Sequence, residues 1–288
     1  MSPRPLPARV GVIGGGRMGA GIAHAFLMAG AQVTVVERDS TAAAAARERV
    51  LAAVTASVRR GMSAPEADRL RVTTDWDALA GAGLVVEAVP EIAALKTEAL
   101  SRAEALLAPS AVLATNTSSL SIDGLAGGLT RPGAFLGLHF FNPVPASALV
   151  EVVTGSATAP DALADATGWV EALGKTPIVV HDSPGFASSR LGVLLGLEAI
   201  RMVEEGVAAP EDIDRAMELG YKHPVGPLRL TDIVGLDVRL DIAEHLAREL
   251  GPRFEPPALL RRMVADGMLG RKSGHGFYAW PTDPERPR

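Results

Sequence analysis

A histidine and a glutamate twelve residues apart stand in two consecutive apolar segments of the chain. His139 interrupts the first segment, and Glu151 lies within the second, residues 149–153. Asn142 and Pro143 favour a turn between them, so a hairpin-like return would bring the carboxylate to the imidazole. A single histidine on an apolar strand is more often a core residue, but a buried carboxylate beside it needs a partner because burying a charge is costly. The pair therefore predicts acid–base chemistry, in which the acid fixes the imidazole tautomer and stabilises its protonated form.

Four polar residues in a row, Asn116, Thr117, Ser118 and Ser119, follow an apolar run that predicts a strand. Such side chains emerge at the carboxyl edge of a parallel sheet, where open α/β sheets bind ligands. The stretch also suits helix capping before Ile122, since serine and asparagine are favoured N-caps. Both interpretations can hold together, with one serine capping the helix and another facing a ligand.

Three glycines, Gly14, Gly16 and Gly19, lie between an apolar run and a helical pattern, and the next apolar run ends on Glu37. This order of strand, glycine turn, helix, strand and acidic residue is the fingerprint of a dinucleotide site. The first glycine permits a tight turn, the second lets the backbone approach the pyrophosphate, and the third lets helix pack on strand. The pyrophosphate would rest on the helix N-terminus, where free N–H groups favour negative charge.

The acidic residue bears on which dinucleotide binds. Glu37 follows Gly14 by 23 residues, close to the roughly 20-residue spacing at which a carboxylate reaches the ribose 2′-hydroxyl. A carboxylate there would repel a 2′-phosphate, so we expect NAD rather than NADP. Arg38, the next residue, is the feature that could instead receive such a phosphate.

The wider pattern predicts an α/β fold, a Rossmann-like, doubly wound, mainly parallel sheet followed by a smaller all-α domain. Apolar runs alternate with helical stretches up to residue 183, which implies βαβ units with helices on both faces. Only helical patterns follow Pro184 and Gly185, so we expect a dinucleotide-binding domain at residues 1–183 and a helical domain at residues 184–288. The predicted strands are residues 9–14, 32–37, 83–89, 111–115, 134–140, 149–154 and 176–181.

Residues 41–70 are longer than a crossover needs and predict a helical excursion from the first domain. One form of it is a hairpin of two helices that turns near Gly61. Arg59 and Arg60 would then lie near the turn, either as a solvated basic face or as a phosphate contact.

The first helix of the second domain carries two glycines four residues apart, Gly192 and Gly196. They would allow another helix to approach closely, either across a subunit interface or inside the domain core. Helical patterns continue to the end of this domain. The predicted helices are residues 191–203, 210–220, 228–250 and 257–266.

Composition excludes several classes of protein. The 288 residues are 48% hydrophobic, which suffices for sizeable cores, and a net charge of −5 with interspersed acids and bases argues against a nucleic-acid partner. The absence of cysteine excludes disulfides, thiolate metal ligands and a cysteine nucleophile, and we expect no metal site. The apolar stretches are shorter than the ~20 residues that span a bilayer, and residues 1–10 lack the apolar core of a signal peptide. We therefore expect a cytoplasmic protein that contacts no membrane.

At these residues the chain resembles the L-3-hydroxyacyl-CoA dehydrogenases, including the short 3-hydroxybutyryl-CoA dehydrogenases. The resemblance covers roughly residues 9–280. The motifs that carry it are GGGRMGAGIA at residues 14–23, VEAVPE at 86–91, NTSS at 116–119, GLHFFNPVP at 137–145, VGPLRLTDIVGLD at 225–237 and GRKSGHGFY at 270–278.

The resemblance implies roles for individual residues. His139 would be the general base, Glu151 its partner, and Ser118 a contact to the 3-oxygen of the substrate. Ser189 would also meet the substrate, and the helical domain would form a homodimer. The residues that the resemblance places at NAD are Gly14, Gly16, Arg17, Met18, Gly19, Glu37, Glu91, Lys96, Asn142 and Lys272.

Two positions depart from the family pattern. The family usually has asparagine immediately before Arg190, whereas this chain has Ser189, whose hydroxyl has a shorter reach than an amide. Short-chain relatives often carry a lysine thought to meet the CoA phosphates near the position of Met62. These departures leave the reaction class unchanged and put the identity of the acyl group and the anchoring of CoA in question.

The sequence as a whole predicts an NAD-dependent oxidoreductase that interconverts 3-hydroxyacyl and 3-ketoacyl thioesters, most simply of CoA, in fatty acid metabolism. A close alternative is the same chemistry on an acyl group tethered to a carrier protein. Another is a dinucleotide-binding relative that has lost catalysis, against which Ser118, His139 and Glu151 speak. Hydroxyisobutyrate-type dehydrogenases share the glycine turn but rely on a lysine, and the His139–Glu151 pair points away from them.

Overall fold

The chain folds as two units, one up to Ser183 and one from Pro184 onward. A computed structural model describes residues 5–281, so part of the predicted N-terminal tail, residues 1–4, lies outside the described residues. None of the helices formed by residues 5–281 is long and apolar enough to cross a bilayer.

Eight strands of the first unit form a single sheet in the order β3-β2-β1-β4-β5-β6-β7-β8. The order of the first six is that of doubly wound dinucleotide-binding sheets, and every neighbouring pair is parallel except β6 with β7. The predicted Rossmann-like fold is confirmed. The strands are β1 (Arg9–Ile13), β2 (Gln32–Val36), β3 (Leu70–Thr73), β4 (Leu84–Glu87), β5 (Val112–Thr115), β6 (Phe135–Phe140), β7 (Leu149–Thr154) and β8 (Thr176–His181).

Five helices accompany this sheet. Three of them, α1, α2 and α5, share a hydrophobic core with alternate sheet residues such as Val10, Val12 and Leu138. On the opposite face α4 approaches closely, since a Cβ added at Gly137 would lie 2.9 Å from Ile122. The helices are α1 (Arg17–Met28), α2 (Ser40–Arg59), α3 (Ala93–Glu104), α4 (Ile122–Ala126) and α5 (Pro160–Ala172).

The predicted hairpin of two helices in residues 41–70 is wrong. A single helix, α2, runs to Arg59, and the chain leaves it at Gly61, whose φ of +92° a helix does not allow. Leu70–Thr73 then pairs with β2 as a parallel edge strand that the sequence analysis did not predict. Arg59 and Arg60 are exposed at the end of α2, as a solvated basic face would be.

The second unit is helical, as predicted, with a core of its own formed by residues such as Leu197, Ile200 and Leu246. The helix predicted over 228–250 is two helices, because Gly235 adopts a φ of +109° between them. Gly196 packs against Thr231 inside this unit, in keeping with the core interpretation of the two glycines. The helices are α6 (Ser188–Glu204), α7 (Pro210–Arg215), α8 (Pro227–Val234), α9 (Leu236–Leu250) and α10 (Ala258–Ala265).

Asp232, at the end of α8, ties the C-terminal motif to this core. Its fully buried carboxylate accepts hydrogen bonds from the amides of Phe277 and Tyr278 at 2.9 Å each and from the indole of Trp280 at 2.7 Å. Gly276 makes this approach possible, since a Cβ there would lie 2.2 Å from the Asp232 carboxylate. The motif at residues 225–237 is therefore hydrogen-bonded to the motif at residues 270–278 through Asp232.

Replacing Asp232 with alanine should lower the free energy of unfolding by about 3 kcal/mol, because three donors lose their acceptor in a buried place. Urea denaturation followed by circular dichroism measures the change. Asp241→Ala, at an exposed position on α9, is the matched control and should stay within about 0.5 kcal/mol of the parent. Equal stability of both variants would contradict this account of the motif.

Candidate functional site

His139 and Glu151 face each other across the only antiparallel pair in the described sheet. They are register partners on β6 and β7, so their side chains project from the same face of the sheet. The imidazole Nδ1 lies 2.6 Å from the Glu151 carboxylate, and the two residues are only 6% and 0% exposed. The predicted return of the chain does bring the carboxylate to the imidazole, and a carboxylate at Nδ1 keeps a proton on that nitrogen.

The Asn116–Ser119 stretch leaves the carboxyl end of β5, next to β6. The Asn116 side-chain oxygen accepts a 2.9 Å hydrogen bond from the amide of Phe140, which ties the stretch to the residue after His139. The cap of α4 is Ser121, whose hydroxyl accepts from the Gly124 amide. Neither serine of the stretch is therefore needed as the cap of that helix.

Glu91 holds the polar stretch in its conformation. One carboxylate oxygen accepts hydrogen bonds from the hydroxyl of Thr117 at 2.6 Å and from the amides of Ser118 at 2.8 Å and Ser119 at 3.0 Å. The other oxygen lies 3.3 Å from the Lys96 ammonium. These bonds fix the position of the Ser118 backbone, while the Glu91 side chain remains 35% exposed.

Lys96 is enclosed, with only 1% of its surface exposed. Its ammonium donates to both carboxylate oxygens of Glu87, at 2.8 and 3.1 Å, and to the Val89 carbonyl at 3.2 Å. Glu87 is itself fully buried and also accepts from the hydroxyl of Thr115 at 2.6 Å. The Lys96 ammonium is therefore engaged with protein acceptors, and it connects Glu87 with Glu91.

Sequence reasoning assigned no role to Glu87, although it lies inside the VEAVPE motif. The signal was an acidic residue as the last member of an apolar strand, with a lysine nine residues later. A buried carboxylate needs a cation, and the helix that follows the strand was the place to seek it.

The ionisation of Glu91 follows from its neighbours. Partial desolvation alone would raise its pKa, but the Lys96 charge and the hydrogen bonds from Thr117, Ser118 and Ser119 together hold the pKa of this carboxyl below its usual value. A carboxylate of depressed pKa is fully ionised above its ordinary value and loses its stabilising effect only as the pH falls through the lowered one. The polar stretch is therefore held throughout the neutral range.

The glycine turn has the shape that a pyrophosphate requires. Gly14 adopts a φ of +87°, and a Cβ at Gly19 would lie 1.8 Å from the Gly14 carbonyl oxygen. Apart from the neighbouring residues of the chain, no described atom comes within 4 Å of the place that a Cβ of Gly16 would take, and no described side chain caps α1. Arg17 is exposed beside this open N-terminus, whereas Met18 is half-buried against the core. The residues present thus fit a dinucleotide.

Glu37 is anchored to the same turn. One carboxylate oxygen accepts from the amide of Gly15 at 2.6 Å, and the other accepts from the amide of Arg38 at 3.1 Å. The Arg38 guanidinium turns to Asp39 at 3.0 Å. The carboxylate therefore stands at the carboxyl end of β2, where the second strand of such folds meets the ribose.

The remaining predicted residues have simpler surroundings. Asn142 is exposed in the turn after β6, and Met62 is 50% exposed beyond α2. In the second unit, Ser189 is half-buried in the first turn of α6. Lys272 is ion-paired with Asp237.

Comparison with known proteins agrees with these motifs. The model of the 3-hydroxyacyl-CoA dehydrogenase NAD binding domain matches residues 9–183, and that of the C-terminal domain of the same enzymes matches residues 185–280. The chain belongs to the 3-hydroxyacyl-CoA dehydrogenase family. Its first part is accordingly an NAD binding domain.

Individual relatives of this family member match over nearly its whole length. A 3-hydroxybutyryl-CoA dehydrogenase of Mycobacterium tuberculosis is 44% identical over 94% of the chain and 98% of the relative. A probable 3-hydroxybutyryl-CoA dehydrogenase of Deinococcus radiodurans is 42% identical over 94% of the chain and 100% of the relative. The solved (S)-3-hydroxybutyryl-CoA dehydrogenase of Ralstonia eutropha superposes with a TM-score of 0.90 at 38% identity, covering 96% of this chain and 100% of that one.

The anchored carboxylate predicts a cofactor preference for this family member. Glu37→Ser should weaken NADH binding about tenfold and narrow the preference for NADH over NADPH by a larger factor, since Arg38 would then meet a 2′-phosphate without a competing carboxylate. Fluorescence titration with both nucleotides measures the two affinities. Asp68→Ser, an exposed position before β3, controls for loss of surface charge. An unchanged preference for NADH over NADPH in Glu37→Ser would contradict the assignment.

Proposed function

We propose that the chain is an NAD-dependent 3-hydroxyacyl-CoA dehydrogenase that interconverts a short 3-hydroxyacyl thioester and its 3-ketoacyl form, with 3-hydroxybutyryl-CoA as the simplest substrate. The observation that carries the proposal is the 2.6 Å contact between His139 Nδ1 and the buried Glu151 carboxylate. An imidazole held in this way is a general base whose conjugate acid is stabilised. The family and the names of its relatives supply the substrate class.

In the forward direction His139 takes the proton of the 3-hydroxyl on Nε2, since Nδ1 is engaged by Glu151. The carboxylate stabilises the positive charge that then develops on the ring. In the reverse direction the same imidazolium returns the proton to the 3-oxygen. NAD, when bound, supplies the acceptor of the hydride that leaves C3. We propose that residues of the glycine turn, Glu37, Asn142 and Lys272 hold it.

The Ser118 hydroxyl would donate a hydrogen bond to the 3-oxygen and orient it toward His139. Its position depends on Glu91, which binds the backbone amides of Ser118 and Ser119. Glu91 in turn is held by Lys96, whose other partner is the buried Glu87. We therefore propose that Glu91 and Lys96 serve the site by positioning Ser118. Because the Glu91 side chain is partly exposed, we propose that it also contacts NAD.

Replacing His139 with glutamine should lower kcat by about 10²–10⁴-fold, the usual contribution of a general acid–base group. The dissociation constant of NADH should stay within about twofold, because the nucleotide turn is untouched. Stopped-flow turnover and fluorescence titration measure the two quantities. His245→Gln on α9 is the control, and turnover like that of the parent in His139→Gln would refute the assignment.

Removing the Glu91 carboxylate tests the positioning role. Glu91→Ala should lower kcat by about 100-fold through displacement of Ser118, because small misplacements of orienting groups cost that much. Glu91→Gln should lose less, since an amide oxygen still accepts from the stretch. Glu98→Ala, exposed on α3, is the control. A loss confined to NADH affinity, with kcat unchanged at saturation, would instead make Glu91 a cofactor contact alone.

The carrier of the acyl group is a separate question. Ser189 and Met62 both permit an acyl group tethered to a carrier protein in place of CoA. Turnover of acetoacetyl-CoA compared with the same acyl group on a carrier protein decides between them. Failure to oxidise NADH with either, or with any 3-ketoacyl thioester, would favour a catalytically silent relative.

The oligomeric state, the location and the metabolic role are proposed from the family resemblance. We propose a homodimer formed by residues 184–288, cytoplasmic location and a place in fatty acid metabolism. Exposed apolar side chains in the second unit support the dimer, because they are the kind of surface that an interface would bury. They include Leu191, Leu219 and Tyr221, which are 69%, 71% and 75% exposed. Light scattering that shows a monomer would contradict this part.

A further inference from the structure

Arg239, on α9, is a buried cation without a partner among the described residues. Only 5% of its surface is exposed, and its Nε makes no hydrogen bond. Burial lowers the pKa of Arg239 to about 10, with no acidic neighbour acting against this change, so the guanidinium remains charged at neutral pH. Buried charges are normally paired, and one that is not costs stability. Such a group is expected where the missing partner is a ligand.

The helix that covers Arg239 carries glycine at the two positions nearest the guanidinium. A Cβ added at Gly192 on α6 would lie 3.7 Å from one terminal nitrogen of Arg239, and a Cβ added at Gly196 would lie 3.6 Å from its Nε. An alanine methyl at either position would already contact the guanidinium, and a longer side chain would cover it. The face of α6 opposite the Arg239 guanidinium therefore has no side chain at Gly192 and Gly196, the two glycines noted in the sequence.

Ser189 lies on the same face of α6. It precedes Gly192 by three residues and Gly196 by seven, the spacing of one helix face, and Gly192 is about one turn, roughly 5 Å, further along. The family resemblance places Ser189 at the substrate, where the departure from asparagine bears on the acyl group, and we take Ser189 to contact that group. A ligand group bound at Arg239 would then belong to the acyl chain. The phosphates of CoA are a less suitable partner, because the length of pantetheine holds them away from the thioester.

We propose that Arg239 binds a carboxylate at the far end of the acyl chain, so that the preferred substrate is the thioester of a 3-hydroxy dicarboxylic acid. This inference rests on the proposed function and narrows its substrate class. A guanidinium pairs with a carboxylate through two parallel hydrogen bonds, which gives both affinity and selectivity against a methyl-ended chain.

The test compares the 3-oxoadipyl and 3-oxohexanoyl thioesters of N-acetylcysteamine. The first acyl chain ends in a carboxylate and the second in a methyl group, and neither thioester carries a phosphate. NADH consumption gives kcat/KM for each, the ketone being reduced to the 3-hydroxyl by one hydride and one proton. We expect the parent protein to favour the dicarboxylic substrate by about 10–100-fold, the range of one charge-assisted contact. Arg239→Met should abolish that preference and leave the methyl-ended substrate within about twofold.

Matched variants separate the possible failures. Arg248→Met, an exposed arginine on the same helix, should keep the preference. Arg239→Met should unfold at the temperature of the parent or above it, because it removes an unpaired buried charge. If the parent reduces both thioesters equally well, the inference is wrong while the proposed function stands, and if it reduces neither, the proposed function itself fails.

Two other outcomes would also overturn the inference. If the guanidinium binds a CoA phosphate, Arg239→Met should lower kcat/KM equally for the CoA thioesters of both acyl groups. Analytical ultracentrifugation would show weaker self-association in Arg239→Met if the missing partner is an acid of a second copy of the chain.

Discussion

The contact between His139 and Glu151 depends on a reversal of strand direction. Six strands of the sheet run parallel, and β7 then returns antiparallel beside β6, so that these two residues become register partners. A parallel neighbour reached through a crossover could not bring two residues twelve apart into contact. The reversal places a fully buried carboxylate next to an imidazole that can stabilise its charge. The rest of the site is arranged around the carboxyl end of β6 that this pairing fixes.

A second buried charge system supports the first. Lys96 joins the end of β4, through Glu87, to the polar stretch after β5, through Glu91. Two adjacent parallel strands therefore end in groups that are bound to one ammonium. An interaction of this kind contributes little net stability, because desolvation offsets the attraction, but its geometry ties the two strand ends to each other. That arrangement presents Ser118 to the same sheet edge as His139.

Much of this could be predicted from the sequence because the signals were local. The glycine turn, the acidic residue after β2 and the apolar runs gave the doubly wound sheet, and two polar residues in consecutive apolar runs gave the His139–Glu151 pair. Strand β3 was missed because Leu70–Thr73 is short, with only two apolar residues among polar ones at the sheet edge. The interruption at Gly235 was missed because a glycine within a helical pattern does not reveal its φ.

Whether a charged side chain is buried, and which partner it has, was harder to predict than which element carries it. Lys96 has the sequence context of an exposed helical lysine, yet its enclosure depends on Glu87, which comes from another element. Arg239 likewise fits the pattern of α9, and the lack of a partner is a property of everything packed around it. Both facts arise from tertiary contacts, which propensity and periodicity do not encode.

The most direct test is a crystal structure of the protein with NADH and a non-reducible analogue of a 3-ketoacyl thioester. The account predicts the 3-oxygen at 2.6–3.2 Å from His139 Nε2, within reach of a proton, with Nδ1 still on Glu151 and the Ser118 hydroxyl on the same oxygen. An imidazole turned away from the ligand, or a Glu151 separated from it, would contradict the assignment of the pair as the acid–base centre.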